Sequence, residues 1–254
     1  MSKKRTQFSK VKYQFVSPFG PSVLIGKMPD VILDEFEKII DNVIEVQNKN
    51  HGKGLAGRID DEWTIDEGKL KYGNLGDFLD NIVVKYVSEV AKRSINTNNF
   101  AMKSGFEEKN QVELDIGVDV VRMSSWVNSM KSGEYNPFHY HPECNLTTVF
   151  FFDDLDEDFI DDIIAPTQTD SFLLGDNVHK QGTTEDGLLH IIYNSNQYFE
   201  LGQFQYRPKR GTFLIFPASL LHGVYPFISE KRRRSASINY RVKSNFDGCN
   251  FGVR

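Results

Sequence analysis

The hydrophobic period of this chain changes near residue 110, and that change limits its folds more than any other feature. Upstream, apolar residues recur every three to four positions. Ile32, Phe36, Ile39, Ile40, Val43 and Ile44 predict a helix over 30–48 with Asp30 as its N-cap. Leu75, Phe78, Leu79, Ile82, Val83, Tyr86, Val87, Val90 and Ala91 predict a second helix over 75–94. Downstream, Val112, Leu114, Ile116, Val118 and Val120 alternate with Glu113, Asp115, Gly117 and Asp119, the period of a half-buried strand. Strand-like runs follow at 146–152, 171–174, 189–193, 202–206, 212–216 and 235–242, separated by Gly- and Pro-containing turns. Val23, Leu24 and Ile25 add a short strand before the first helix. Helices first and many short strands after them predict an α+β chain. Its strands form a sandwich or barrel, and its helices pack on one sheet.

One domain accommodates all 254 residues. Residues 1–12 are expected to be flexible, 13–105 to give helical support, and 110–245 to form the β core, with an insertion at about 153–200. The charged, Gly-rich stretch 51–73 reads as a loop. The insertion opens with seven acids in the ten positions 153–162, too many to bury together, so it is expected to be a mobile surface loop or lid apart from any metal site. Residues 231–234, KRRR, form the densest basic cluster, and a solvated turn is the plain reading of it. The net charge of −5 argues against a binder of duplex nucleic acid. No run of 18 apolar residues predicts a membrane span. The basic opening lacks the apolar region of a secretory signal. Two cysteines, Cys144 and Cys249, give no disulfide framework and point to a reducing, cytoplasmic setting.

Three of the six histidines fall where a metal site would need them. His139 and His141 are two apart, so a strand running through both points both imidazoles the same way. His141 and Glu143 form a second pair with the same spacing. His222 follows the apolar run 212–216 and Pro217. Two neighbouring ligands and one distant histidine are the arithmetic of a facial triad with open coordination positions. Two sets stay open: His139/His141/His222 and His141/Glu143/His222. Cis histidine pairs also suit copper or zinc. Cys144 adjoins the site and reads as a neutral pocket residue, not a nucleophile.

Gly133, His139 and His141, then Gly211, Pro217 and His222, resemble the two halves of the cupin metal motif, although Glu143 comes early and Ser219 replaces the usual Gly. A longer series runs through Trp126, Asn128, Gly133, Asn136, His139, His141 and Pro142. It continues through Gly211, Phe213, Phe216, Pro217, Leu220, His222, Val224 and Pro226, and ends with Arg233, Ser235 and Asn239. In order and spacing the chain resembles the iron(II)- and 2-oxoglutarate-dependent oxygenases, and among them a group found in marine bacteria and their viruses. The resemblance implies a double-stranded β-helix of jelly-roll, cupin-like form. It implies Fe(II) and 2-oxoglutarate as cofactors and dioxygen with a small-molecule or protein side-chain substrate as partners. It places the protein in the cytoplasm of a bacterium or of a virus-infected host cell, and a homodimer is compatible with it. It also implies a basic residue on the last core strand that grips the cofactor's far carboxylate, since a guanidinium fork matches a carboxylate. Ala236, Ile238, Tyr240 and Val242 are apolar and should face the helices together with Arg234. Arg233 and Ser235 then face the interior, and Asn136 joins them as a cofactor contact. Trp126, Asn128 and Tyr135 are further pocket candidates. The rival readings are a cofactor-free three-His cupin dioxygenase acting on a small thiol or enol, and a non-catalytic cupin-fold metal-binding protein.

Overall fold

The computed structural model describes residues 20–46, 57–103, 117–154, 187–194 and 202–245, with the backbone alone over 95–103. The expectations for 1–12, 112–116, 171–174 and most of the acidic segment lie outside the described residues.

Helix α1, Asp30–Val46, buries Ile32, Leu33, Phe36, Ile40 and Val43, the stripe that its periodicity predicts. Helix α3 spans Gly73–Lys103, longer than the stripe alone indicates, and buries Leu75, Leu79, Val83, Tyr86, Val87 and Ala91. No helix among the described residues is long and apolar enough to cross a membrane.

The strands form two antiparallel sheets. The larger has the order β1-β8-β5-β10-β3-β2, with β1 Leu24–Lys27, β2 Glu62–Thr64, β3 Val118–Met130, β5 Leu146–Phe151, β8 Thr212–Pro217 and β10 Arg233–Ser244. The smaller has the order β4-β9-β6-β7, with β4 Asn136–His139, β6 Leu189–Ile192, β7 Gln203–Tyr206 and β9 Leu221–Val224. Side chains alternate across the large sheet and feed two cores. Phe150, Phe213, Ile215, Ala236, Ile238 and Tyr240 pack with α1 and α3 on one face. Phe36 meets Phe150 and Phe152 edge-on, each at 5.2 Å between centroids. Val149, Phe151, Leu214 and Phe216 face the other way and pack with Leu189 and Ile191 of the small sheet. The large sheet is thus covered on both faces, which is why β5 reads as an uninterrupted buried run.

The strand expected at 189–193 forms β6, which joins the small sheet between β9 and β7. One expectation changes. The stretch 51–73 is not all loop: it contains β2 and a single-turn helix, α2, Glu67–Leu70, capped by the Asp66 carboxylate accepting from the Gly68 N–H. Three residues are too few for a period-2 signal, and β2 begins with a charged side chain.

That side chain, Glu62, is only 3% exposed. Burial pushes its carboxyl up to about 7 from the ordinary 4.5. The folded state therefore prefers the protonated acid. Stability is unaffected below about pH 4.5, is lost as pH rises toward 7, and stays lost above it. Glu62→Gln is expected to match the wild type near pH 4 and to exceed it near pH 8, by up to about 3 kcal/mol. Denaturant unfolding at the two pH values checks this; an equal difference at both would refute it.

Candidate metal centre

His139 ends β4 and His222 lies in β9, and the antiparallel pairing sets the two opposite each other. Gly223 permits the close approach of these strands. A Cβ there would lie 2.9 Å from the Asn136 carbonyl oxygen and 3.1 Å from the Phe138 nitrogen, both in β4. His141 arrives by a different route from the one its spacing predicts. The strand stops at His139, and Pro142 and Glu143 form a turn beyond it. The His141 N–H donates to the Ala218 carbonyl at 2.9 Å, which ties that turn to the β8–β9 connection and swings the imidazole back. The three rings gather with centroids 5.1, 4.4 and 5.0 Å apart. One ring nitrogen from each lies within 4.8 Å of the other two.

Glu143 is outside this cluster. It is exposed, and its backbone carbonyl accepts from Arg241 Nη2 at 3.2 Å. The alternative set His141/Glu143/His222 is therefore not the one the structure brings together. The turn that returns His141 turns Glu143 outward.

Backbone carbonyls orient two of the imidazoles. His139 Nδ1 lies 2.7 Å from the Pro137 oxygen, and His222 Nδ1 lies 2.8 Å from the Leu220 oxygen. A carbonyl only accepts, so each Nδ1 carries the proton and each Nε2 keeps its lone pair. Burial, with His139 and His141 nearby, pushes His222 down to about 3, so it is neutral at neutral pH. A set of imidazole donors suits a first-row divalent metal such as Fe(II), and three of them leave room for other ligands.

The same pocket takes in Asn136, Arg233 and Ser235, along with Trp126, Asn128 and Ser237. Strand register explains the grouping. Arg233, Ser235 and Ser237 of β10 oppose Met130, Asn128 and Trp126 of β3, all on the face turned away from the helices. Arg234, of opposite parity, reaches α1 and pairs with Glu37, Asp41 and Asp153. The basic cluster is therefore not simply a solvated turn. Asp153, the first acid of the insertion, is part of this helix-side network.

Arg233 is 2% exposed. Its Nε donates to the Gly187 carbonyl at 3.2 Å, and its Nη1 lies 3.4 Å from Ser235 Oγ and 3.5 Å from Met130 Sδ. Its Nη2 is buried with no partner among the described residues. Burial pushes it down to about 10, while Asp153 acts in the opposite sense, so it stays charged at neutral pH. A buried guanidinium with an unused donor is costly unless an anion completes it.

Tyr135 departs from expectation: it is exposed, bridges to Arg58 and does not line the pocket. Cys144 holds a half-buried thiol 3.9 Å from the His141 carbonyl, and burial, with Glu143 beside it, pushes its pKa up, away from a nucleophile's range. His190 is buried on the opposite face of β6 from Leu189, against Tyr225 at 4.3 Å, and plays no part in the cluster.

Residues 124–239 match the protein family described as "Putative 2OG-Fe(II) oxygenase". No curated protein matches the chain. Several solved structures are similar at low identity. A prolyl-4-hydroxylase from Pseudomonas putida is 11% identical over 87% of this chain and 92% of its own, with a TM-score of 0.48. A prolyl hydroxylase from Trichoplax adhaerens, in complex with a peptide fragment of the hypoxia inducible factor oxygen degradation domain, is 14% identical over 86% of this chain and 83% of its own, with a TM-score of 0.48. The viral collagen prolyl hydroxylase of Paramecium Bursaria Chlorella virus-1, as its 2-oxoglutarate complex, is 12% identical over 87% and 94%, with a TM-score of 0.45. The stretch that folds three imidazoles and a buried guanidinium into one pocket is also the stretch that matches: residues 124–239 are similar to the 2OG-Fe(II) oxygenases, a family that uses Fe(II) and 2-oxoglutarate.

Proposed function

We propose that this protein is an Fe(II)- and 2-oxoglutarate-dependent oxygenase that hydroxylates a small molecule or a protein side chain, on a core of double-stranded β-helix form. His139, His141 and His222 hold the metal through Nε2. Arg233, steadied by Ser235, grips the far carboxylate of 2-oxoglutarate with the donor that otherwise has no partner. Asn136 lines the path between them. Fe(II), when bound, supplies the dioxygen chemistry, in which oxidative decarboxylation of 2-oxoglutarate to succinate and CO2 is coupled to oxidation of the substrate. The protein's own share is to fix two anchor points in one pocket and keep water from the guanidinium.

The observation that carries this reading is the unpartnered Arg233 Nη2 in the pocket of the three histidines. A three-His dioxygenase without a cosubstrate, or a structural metal site, has no use for it. The test is an anaerobic titration of Mn(II)-loaded protein with 2-oxoglutarate. Stoichiometric binding that requires the metal is expected. Tight metal binding with no affinity for the oxoacid would overturn the reading in favour of a structural metal.

A further inference from the structure

Asn239 lies at a β-bulge. It pairs with Ser124, whereas the next residue, Tyr240, pairs with Arg122, and Met123 is left without a counterpart. The bulge reverses the side-chain direction along β3. Arg122 consequently faces the helix side, where it meets Glu67 at 2.9 Å and Asp80 at 3.5 Å. Ser124 and Asn239 face the metal cluster. Asn239 is 8% exposed, and its Nδ2 lies 3.3 Å from His141 Nδ1 and 3.2 Å from Ser124 Oγ. Its Oδ1 is buried without a partner.

In this arrangement the amide donates to His141 Nδ1. His141 then carries its proton on Nε2, which lies 3.2 Å from the bare Nε2 of His222. Those two nitrogens are the ones a metal needs. To serve as a ligand through Nε2, His141 must move its proton to Nδ1, where it requires an acceptor. A half-turn of the Asn239 amide puts Oδ1 in the place of Nδ2, where it accepts from His141 Nδ1–H and from the Ser124 hydroxyl. Thr147, the partner of Asn239 on β5, has a buried Oγ1 with no partner in the same cross-strand row, an acceptor for the displaced NH2.

We infer that Asn239 is a positioning residue that fixes the tautomer of His141: with Oδ1 turned to Nδ1 its amide accepts from Nδ1–H and leaves Nε2 to the metal. The inference rests on the metal reading above. Zn(II), which is diamagnetic, is the probe. Long-range 1H–15N correlation of the histidine side chains is expected to show His141 protonated at Nδ1 in the Zn(II)-loaded protein. Asn239→Leu, similar in size but without an acceptor, is expected to lower Zn(II) affinity about 10- to 100-fold. Asn239→Asp is expected to restore it, because a carboxylate accepts from Nδ1–H. Zn(II)-loaded protein with His141 still protonated at Nε2, or an Asn239→Leu affinity within about twofold of wild type, would overturn the inference alone. Wild-type protein that binds no Zn(II) would overturn the metal reading and this inference with it.

Discussion

His222→Ala is expected to abolish stoichiometric Fe(II) binding in an anaerobic titration, a loss well beyond the roughly 10- to 100-fold typical of removing a side chain that only orients a ligand. His222 faces both other imidazoles, with its ring 4.4 Å from His139 and 5.0 Å from His141. Its Nδ1–H is spent on the Leu220 carbonyl, and burial keeps the ring neutral, so its Nε2 lone pair is ready for a cation. Glu143→Ala makes the control, since an exposed side chain outside the cluster should leave affinity unchanged. Unchanged affinity in His222→Ala, or lost affinity in Glu143→Ala, would show that the metal sits elsewhere.

Arg233→Met should weaken 2-oxoglutarate binding by about 2–4 kcal/mol, roughly 30- to 1,000-fold in Kd, while the metal still binds. The figure is that of a charge-assisted pair lost from a buried site. A second effect separates ligand recognition from damage to the fold. The guanidinium is buried with one donor unused, so a flexible apolar side chain in its place removes a desolvation penalty. Thermal stability without 2-oxoglutarate should hold or rise while affinity falls. A matching fall in both would mean that Arg233 supports the fold and does not hold the cofactor. Arg234→Ala should do the reverse. Its pairs with Glu37, Asp41 and Asp153 fasten β10 to α1 and to the start of the insertion, away from the pocket.

The parts of this molecule that repeat were legible in the sequence. The stripe of α1 and the opposite fates of Arg233 and Arg234 follow from periods of 3.6 and 2, and β5 was legible as a strand-like run. The histidine set was legible as residues but not as geometry. Spacing alone put His139 and His141 on one strand face, whereas Pro142 ends the strand and a backbone bond to Ala218 returns His141 to the cluster. That bond spans the two sheets and leaves no local trace. The same holds for Gly223, whose need for no side chain appears only when β4 crosses it, and for Asn239, whose aim depends on a bulge. Strand β2 went unread because three residues carry no period, whereas β6 was legible as the apolar run at 189–193.

The most direct test of the account is uncoupled turnover. Purified protein is incubated in air with Fe(II) and 2-oxoglutarate and no other substrate, and succinate is measured over time. The account predicts slow succinate formation that requires Fe(II) and oxygen and is lost in both His222→Ala and Arg233→Met. Protein that binds Fe(II) and 2-oxoglutarate yet forms no succinate above the protein-free blank would contradict it.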